Sequence, residues 1–283
     1  MGSVRFRRTV TSVALAAGLM LTAGWASAQF GFRGGEFMNI PPRYMPELPP
    51  DRDFAACRLM YESVRREPSG AGWRTDYPYG EINLSIRFSE LTRTRVSVNG
   101  ERDEPNHYVV RLTDPALFEC PFTIASDVGT VGLQPEEAAN LRTYLLKGGF
   151  LWVDDFWGDR AWEQWSGEIA KVLDPVEFPI TDVPLDDPIF QSQFIVNKLP
   201  QITNIGFWRR TRGSNTSERY EESAEVHFRA IRDADGRIMV VMTHNTDVAD
   251  SWEREGEDPA FFYQFSPDGY ALGINVLLHA MTH

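Results

Sequence analysis

The stretch that decides the fold is LLKGGFLWVDDFWGDRAW, residues 145–162. It joins a helix end, the pair Gly148-Gly149, the apolar run FLWV and two adjacent carboxylates, Asp154 and Asp155. A short strand that is apolar on both faces is typical of parallel sheets, because helices cover both sides of such sheets. The stretch therefore predicts a buried parallel strand with two acids at its carboxyl end, followed by a second helix.

The rest of the chain alternates predicted strands and helices. The predicted strands are CRLMYESV (57–64), HYVVRL (107–112), PFTIAS (121–126), FLWVDD (150–155), EVHFRAIRD (225–233) and GRIMVVMTH (236–244), the last two as a hairpin-like pair. The predicted helices are INLSIRFSELT (82–92), LQPEEAANLRTYLLKGG (133–149), AWEQWSGEIAKVL (161–173) and YALGINVLLHAMTH (270–283). Strands that alternate with helices predict an α/β sheet covered on both sides.

Asp154 and Asp155 have two compatible interpretations. Open parallel sheets bind their ligands at the carboxyl ends of the strands, which is where the pair is predicted to lie. Alternatively, Asp155 or Asp159 accepts hydrogen bonds from the free N–H groups that open the next helix. A cap at that edge would also line the crevice, so both interpretations stay open.

The first 28 residues are typical of a secretory signal peptide. Three arginines precede the apolar stretch from Val13 to Gly24, and Ala26-Ser27-Ala28 forms a small-residue cleavage site. We expect cleavage near Ala28 and a periplasmic or secreted protein. A retained anchor is the alternative, although the apolar stretch is short for a bilayer.

The charge of the mature chain excludes some classes of binding partner. Removal of residues 1–28 leaves 25 basic and 40 acidic residues, so the net charge falls from −12 to −15. This charge repels polyanions, which argues against nucleic acid and anionic membrane surfaces as partners. No later segment has a transmembrane length, so we expect no stable membrane insertion of the mature chain. The expected partner is an unknown small molecule or envelope protein.

The mature chain divides into a leader and one domain. Residues 29–52 are rich in Pro and Gly and are predicted to form an extended leader, whereas residues 53–283 contain no linker-like break. Cys57 and Cys120 are available for a disulfide in an oxidising compartment, but sequence does not fix the Cα separation that a bridge needs.

Three long blocks carry a resemblance to a known family. They are WRTDYPYGEINLSIRFSELT (73–92), EEAANLRTYLLKGGFLWVDDFWG (136–158) and GRIMVVMTHNTDVADSWERE (236–255). Together they resemble the bacterial domain-of-unknown-function family numbered 4159. The resemblance implies a flavodoxin-like three-layer α/β sandwich with a mostly parallel central sheet, in the class I glutamine-amidotransferase-like superfamily. It implies no established reaction.

The amidotransferase nucleophile has no counterpart in this chain. Enzymes of that superfamily place a cysteine on a sharp strand-to-helix turn. The corresponding turn follows GGFLWV and reads DDFWGD, residues 154–159, which contains neither Cys nor Ser. Carboxylates are weak nucleophiles toward an amide, so glutaminase activity is not expected.

The block THNTDVADSWERE, residues 243–255, supplies the candidate metal ligands. His244, Asp247 and Asp250 recur every three residues, and with Asp154 or Asp155 they could bind a divalent cation. The metal candidates are therefore Asp155, His244 and Asp247. The alternative is a loop in which Asn245 and Asp247 bond to their own backbone.

The block GWRTDYPYG, residues 72–80, contains flat rings, a planar cation and an acid. These suit a sugar or carboxylate ligand, because rings stack and arginine binds carboxylates with two hydrogen bonds. The alternative is an Arg74–Asp76 turn with Trp73 packed in the core. The ligand-binding candidates are Trp73, Arg74, Asp76, Tyr77, Trp157, Asn245 and Asp247.

Two functions follow from these patterns. The favoured one is a non-catalytic ligand- or partner-binding module, since the nucleophile is absent. The alternative is a hydrolase of an envelope or extracellular glycan, which a metal ion could assist, with Asp154, Asp155 and His244 as catalytic candidates. No cofactor is predicted. Convergence of Asp155, His244 and Arg74 in one pocket would favour the ligand site.

Overall fold

A seven-stranded sheet forms the centre of the computed structural model, which describes residues 40–283. The predicted signal peptide and residues 29–39 of the predicted leader lie outside the described residues. The strands are β1 (Ala56–Met60), β2 (His107–Arg111), β3 (Phe122–Ser126), β4 (Phe150–Phe156), β5 (Ile180–Asp182), β6 (His227–Arg232) and β7 (Ile238–His244).

The strand order is β2-β1-β3-β4-β7-β6-β5. The first five of these strands are parallel, whereas β6 is antiparallel to both β7 and β5. The prediction of a mostly parallel α/β sheet is confirmed, and the order of its parallel strands is consistent with a flavodoxin-like arrangement.

Helices cover both faces of the sheet. They are α1 (Tyr79–Thr92), α2 (Pro135–Leu146), α3 (Gly158–Val172), α4 (Ile205–Thr211), α5 (Asp250–Glu253) and α6 (Pro259–Thr282). Apolar residues of α1, α5 and α6 pack in one core, and those of α2 and α3 pack in a second core on the other face. The two-sided burial explains the continuous apolar run of β4, where Trp152 and Val153 are both fully buried.

Local capping chemistry sets two helix starts. Gln134 and Glu137 form a capping box at α2, in which the Gln134 N–H donates to Glu137 Oε2 at 2.9 Å. Helix α6 begins at Pro259, well before the predicted start at Tyr270, because Asp258 accepts a hydrogen bond from the Ala260 N–H at 2.8 Å.

The predicted first strand, residues 57–64, divides into two. After β1, Glu62–Ser63 leaves the central sheet and pairs antiparallel with Val131–Gly132. The Tyr61 hydroxyl marks the division by donating to the carbonyl of Ser126 at 2.7 Å, at the end of β3.

A disulfide joins Cys57 to Cys120, which answers the question that the sequence left open. Their Cα atoms are 6.1 Å apart, and both residues are buried at the amino-terminal side of the parallel strands β1 and β3. A cross-link closing a loop of this size stabilises a fold by about 4 kcal/mol in the chain-entropy account.

The described part of the leader contacts the edge of the sheet. Tyr44 forms a parallel bridge with Val109 of β2, and the Val109 N–H donates to the Arg43 carbonyl at 2.7 Å. Within residues 40–283, none of the helices has the length and apolar character needed to cross a membrane.

Candidate functional site

Acidic side chains gather at the carboxyl ends of the parallel strands. This carboxylate cluster consists of Asp76, Asp127, Asp154, Asp155, Asp247, Asp250 and Glu253. Its members come from the segment before α1, the ends of β3 and β4, and the segment that runs from β7 into α5. All except Asp155, which is half-buried, are buried. Parallel α/β sheets bind their ligands at this edge.

Left-handed backbone conformations are concentrated at the same edge. Asp76, Asp127 and Asp155 have φ values of 66°, 54° and 53°, and Asn245 has a φ of 62°. Side chains other than glycine avoid this region, although Asp and Asn tolerate it best. Residues held in such conformations cluster at functional sites in proteins.

Asp155 interrupts the alternation of β4. Val153 and Phe156 pack in the same core although they are three residues apart, because the left-handed conformation of Asp155 changes the direction of the strand. The Asp155 carboxylate accepts a hydrogen bond from Trp157 Nε1 at 2.9 Å.

Asp76, Asp155 and Asp247 form a possible cation site. One carboxylate oxygen from each of these residues lies within 4.8 Å of the others. We call this group the aspartate triad.

A polar donor fixes the orientation of each carboxylate in the triad. Ser126 Oγ donates to Asp76 Oδ2 at 2.7 Å, and the Asp250 N–H donates to Asp247 Oδ1 at 3.0 Å. Trp157 does the same for Asp155 Oδ1. Carboxylates that bind metals are typically hydrogen-bonded in this way.

A second acidic group shares Asp76 with the triad. Oxygens of Asp76, Asp250 and Glu253 also lie within 4.8 Å of one another. Here a cation is already supplied by the chain, because Arg254 Nε lies 2.6 Å from Glu253 and 3.3 Å from Asp250. Arg254 also pairs with Glu257 at 2.8 Å, so it neutralises the second group only in part. Because that group already contacts a cation of the chain, the aspartate triad is the better site for an added cation.

Burial and mutual repulsion raise the pKa values of the triad. Burial raises the pKa of Asp76 to about 6, with a further contribution from the charge of Asp250. The pKa values of Asp155 and Asp247 are raised well above the ordinary value, first by burial and then by neighbouring aspartates. A bound divalent cation would reverse these shifts, because it favours the ionised forms.

Asp154 has a structural position. Its carboxylate accepts hydrogen bonds from Thr243 Oγ1 at 2.5 Å and from the Ala249 N–H at 2.9 Å. Burial raises its pKa to about 7. Asp154 therefore fixes the segment after β7, and both of its oxygens are already engaged.

His244 lies away from the triad. Its ring stacks on Phe156 at 4.8 Å and contacts Trp162 of α3 at 5.3 Å between ring centroids, and Nε2 lies 3.2 Å from the Gly158 carbonyl. Side chains alternate along a strand, so Thr243 contacts Asp154 on one face while His244 packs toward α3 on the other. Burial lowers the pKa of His244 to about 4.

The start of α3 is capped by residues other than the predicted ones. The Gly158 N–H donates to Asn245 Oδ1 at 2.8 Å, and the Asp159 N–H donates to Glu222 Oε1 at 3.0 Å. The prediction that Asp155 or Asp159 caps this helix is therefore wrong. Gly158 is required here, because its φ is 77° and a Cβ would collide with the Glu222 carboxylate.

Only Asp76 of the GWRTDYPYG block joins the cluster. A turn does span this part of the block, because the Tyr77 N–H donates to the Arg74 carbonyl at 3.1 Å, and Trp73 packs against the second core. The Arg74 side chain turns away from Asp76: it stacks over Trp73 at 4.5 Å and donates to the Ile40 carbonyl at 2.8 Å. The Tyr77 hydroxyl accepts a hydrogen bond from the Arg43 N–H at 3.0 Å. The convergence of Arg74 and His244 with Asp155, which would have favoured a ligand site formed by these three residues, does not occur.

The sequence analysis did not identify two residues at this edge of the sheet, Asp127 and Arg58. Asp127 directly follows β3, just as Asp154 and Asp155 end β4, so the strand-end rule could have found it. Arg58 is a fully buried cation that donates to Glu81 at 2.5 Å and to Ser126 Oγ at 2.7 Å. Its signal was a charged residue inside the apolar strand CRLM.

Comparison with known proteins identifies the family. A family model described as "Domain of unknown function (DUF4159)" matches residues 57–281. The chain belongs to the DUF4159 family. The matched part of this DUF4159 protein contains the whole carboxylate cluster and all seven strands except the first residue of β1. A search of the curated proteins finds no match.

Proposed function

We propose that this DUF4159 protein binds a divalent cation on Asp76, Asp155 and Asp247 and uses it in a non-catalytic ligand- or partner-binding site. The observation that carries the proposal is the geometry of the triad: three carboxylates that each place one oxygen within 4.8 Å of the others, each carboxylate oriented by a separate donor. No basic side chain of the described residues forms an ion pair with Asp155 or Asp247.

The chemistry of the triad favours a hard cation. Carboxylate oxygens suit Ca²⁺, Mg²⁺ and Mn²⁺, whereas zinc prefers sites that include nitrogen or sulfur. His244, the predicted nitrogen ligand, contacts Gly158 and the aromatic rings beneath α3 instead. Ca²⁺ or Mg²⁺ is therefore the proposed ion.

Export is a further part of the proposal. The Cys57–Cys120 disulfide supports a periplasmic or secreted location, because such bridges persist in oxidising compartments. The position of Asp155 at a left-handed turn between β4 and α3 supports relationship to the amidotransferase-like superfamily, with an acid in place of the thiol. This substitution is the reason to propose binding rather than amide hydrolysis.

One observation favours metal-assisted glycan hydrolysis as the second function. Burial raises the pKa of Asp127 to about 7, which suits a general acid or base at neutral pH. Asp127 also contributes to the raised pKa of Asp155, so the two carboxyl groups interact. Cation-dependent release of reducing ends from a glycan, lost in Asp127→Asn, would establish this function instead.

Calorimetric titration tests the proposed cation site. We expect the chelator-treated protein at about pH 8 to bind Ca²⁺ or Mg²⁺, and Asp155→Asn and Asp247→Asn each to weaken binding by about 100-fold or more, because each removes an anionic ligand. Asp186→Asn is the matched control, since Asp186 is exposed and remote from the cluster; its affinity should equal that of the wild type.

Glu253→Gln distinguishes the two acidic groups. Because Arg254 already pairs with Glu253, this variant should keep the wild-type cation affinity within about threefold. Absence of binding by the wild type at about 10 mM cation, or equal affinities for wild type and Asp247→Asn, would contradict the proposal.

A further inference from the structure

A cavity of about 500 Å³ lies along helix α4. It opens between the loop at Pro68-Ser69 and the segment from Phe207 to Tyr220. Its volume lies in the range of small-molecule pockets in proteins. Arg219, at its rim, ties the two sides together through an ion pair with Glu67 at 3.1 Å.

An aromatic ring is held at the mouth of this cavity at a conformational cost. Tyr220 has a φ of 54°, and 65% of its surface is exposed. Bulky residues almost never adopt this backbone region without a reason. Ser217 keeps the turn in place, since its carbonyl accepts the Tyr220 N–H at 3.2 Å and its hydroxyl donates to the Tyr220 carbonyl. The fold therefore maintains a strained turn that presents a ring to solvent.

Arg210 supplies a positive charge beside that ring. Its guanidinium lies 5.6 Å from the ring of Phe207, which in turn contacts Tyr220 at 6.1 Å between centroids. Arg210 forms no ion pair with any acid among residues 40–283, whereas the neighbouring Arg219 pairs with Glu67 and Glu218. Exposed arginines in this situation can bind a carboxylate with two hydrogen bonds.

Glu218 connects the cavity to the carboxylate cluster. It lines the cavity, and its carboxylate accepts a hydrogen bond from the Asn204 N–H at 2.7 Å. The next residue of that segment contacts the cluster, because the Ile205 N–H donates to Asp250 Oδ2 at 2.9 Å. A ligand that occupies the cavity therefore lies close to the cluster. In this acidic surrounding, neutral hydroxyl oxygens are the ligand atoms best suited to contact the cation, and an anionic group is best placed at Arg210.

We infer that the cavity binds an acidic saccharide, whose ring packs on Tyr220 and whose carboxylate pairs with Arg210. Its hydroxyl groups face the cation of the aspartate triad; this last contact rests on the proposed function. Aromatic rings stack on the apolar face of sugars, and Arg210, the basic residue of the cavity lining that is not in an ion pair with an acid of residues 40–283, explains a preference for a uronic acid over a neutral sugar.

The test uses the full calcium-loaded chain and three probes: D-glucuronate, D-glucose and acetate. We expect glucuronate to bind about tenfold or more tightly than either partial probe, because only it contains both the ring and the carboxylate. Arg210→Gln should lower glucuronate affinity to that of glucose. Arg212→Gln, which removes a nearby exposed charge that does not line the cavity, is the control.

Tyr220→Gly separates binding from folding. Glycine adopts a φ of 54° without strain, so the melting temperature should be unchanged or higher, while affinity for both sugars falls about tenfold. Tyr263→Ala, which removes an exposed ring on α6, should leave sugar binding unchanged.

Three outcomes would decide the inference. Glucuronate that binds no better than acetate, or that binds equally to wild type, Arg210→Gln and Tyr220→Gly, overturns it. Calcium binding without sugar binding overturns the pocket and leaves the proposed function standing. Sugar binding that depends on Arg210 and Tyr220 but not on calcium supports the pocket and counts against the aspartate triad as its cation site.

Discussion

The two ends of the parallel sheet are built on opposite principles. At the amino end, the disulfide links Cys57 of β1 to Cys120, two residues before β3. At the carboxyl end, buried acids repel one another and several backbones are left-handed. The disulfide at the amino end stabilises the fold by restricting the unfolded chain. The buried acids at the carboxyl end lower the stability of the fold, so folding by itself does not explain them. This difference is the one expected if stability is concentrated at one edge and the proposed ligand binding at the other.

The largest effect is expected from the disulfide. Replacing both cysteines, Cys57→Ser with Cys120→Ser, should lower the free energy of unfolding by about 4 kcal/mol, since the unfolded chain regains the freedom of a long loop. Urea unfolding of the oxidised wild type and the double variant measures this. Cation affinity should not change in the folded variant. A large loss of affinity would show that the two edges are not separate.

A smaller effect is expected from pH. Burial raises the pKa values of Asp127 and Asp154 to about 7 from 3.8. The folded state therefore binds more protons than the unfolded state between these values, and stability falls as pH rises through this window. For the cation-free protein we expect a loss of about 2 kcal/mol between about pH 6.5 and pH 8 from these two groups.

Buried histidines have the opposite effect on stability, but only below about pH 6.5. Burial lowers the pKa of His107 and His244 to about 4 from 6.5, so their contribution to stability rises with pH up to about 6.5 and is then constant. Urea unfolding above this pH isolates the acids. Saturating calcium should remove the decline, and a decline that calcium leaves unchanged would contradict the account.

Asp247→Asn should have a smaller effect on stability. We expect this variant to be more stable than the wild type, although it binds the cation more weakly. The amide keeps an oxygen for the Asp250 N–H and removes one buried charge from the cluster. We expect the cation-free variant to gain about 1 kcal/mol in free energy of unfolding at about pH 8. Denaturant titration in chelator measures it. A destabilised variant would indicate that Asp247 serves folding rather than binding.

The smallest effect is expected from His244→Phe. Its ring stacks on Phe156 and lies near His227, and it belongs to neither acidic group at the sheet edge. Calcium affinity measured by calorimetry should stay within about twofold of the wild type. A loss of tenfold or more would restore His244 as a cation ligand.

The sequence predicted the edge of the sheet better than the faces of its strands. The run FLWVDD predicted β4 and placed Asp154 and Asp155 at its end, because burial on both faces and strand-end polarity are local signals. Which of the two acids is free depends on the left-handed turn at Asp155 and on Thr243, which lies far along the chain. A contact between residues far apart in the chain cannot be predicted from the local sequence pattern.

His244 and the helix cap failed for a related reason. The sequence analysis grouped His244 with Asp247 because the two are three residues apart, whereas His244 ends β7 and its ring packs against Phe156 and Trp162. Asn245 and Glu222 cap α3 from other segments, whereas the prediction considered only neighbours in sequence. Long-range partners decided both cases.

A crystal structure of the protein grown with calcium tests the central claim most directly. The account predicts one Ca²⁺ at about 2.3–2.6 Å from carboxylate oxygens of Asp76, Asp155 and Asp247. A saturated crystal without an ion at the triad, or with the ion bound by Asp250 and Glu253 instead, would contradict it.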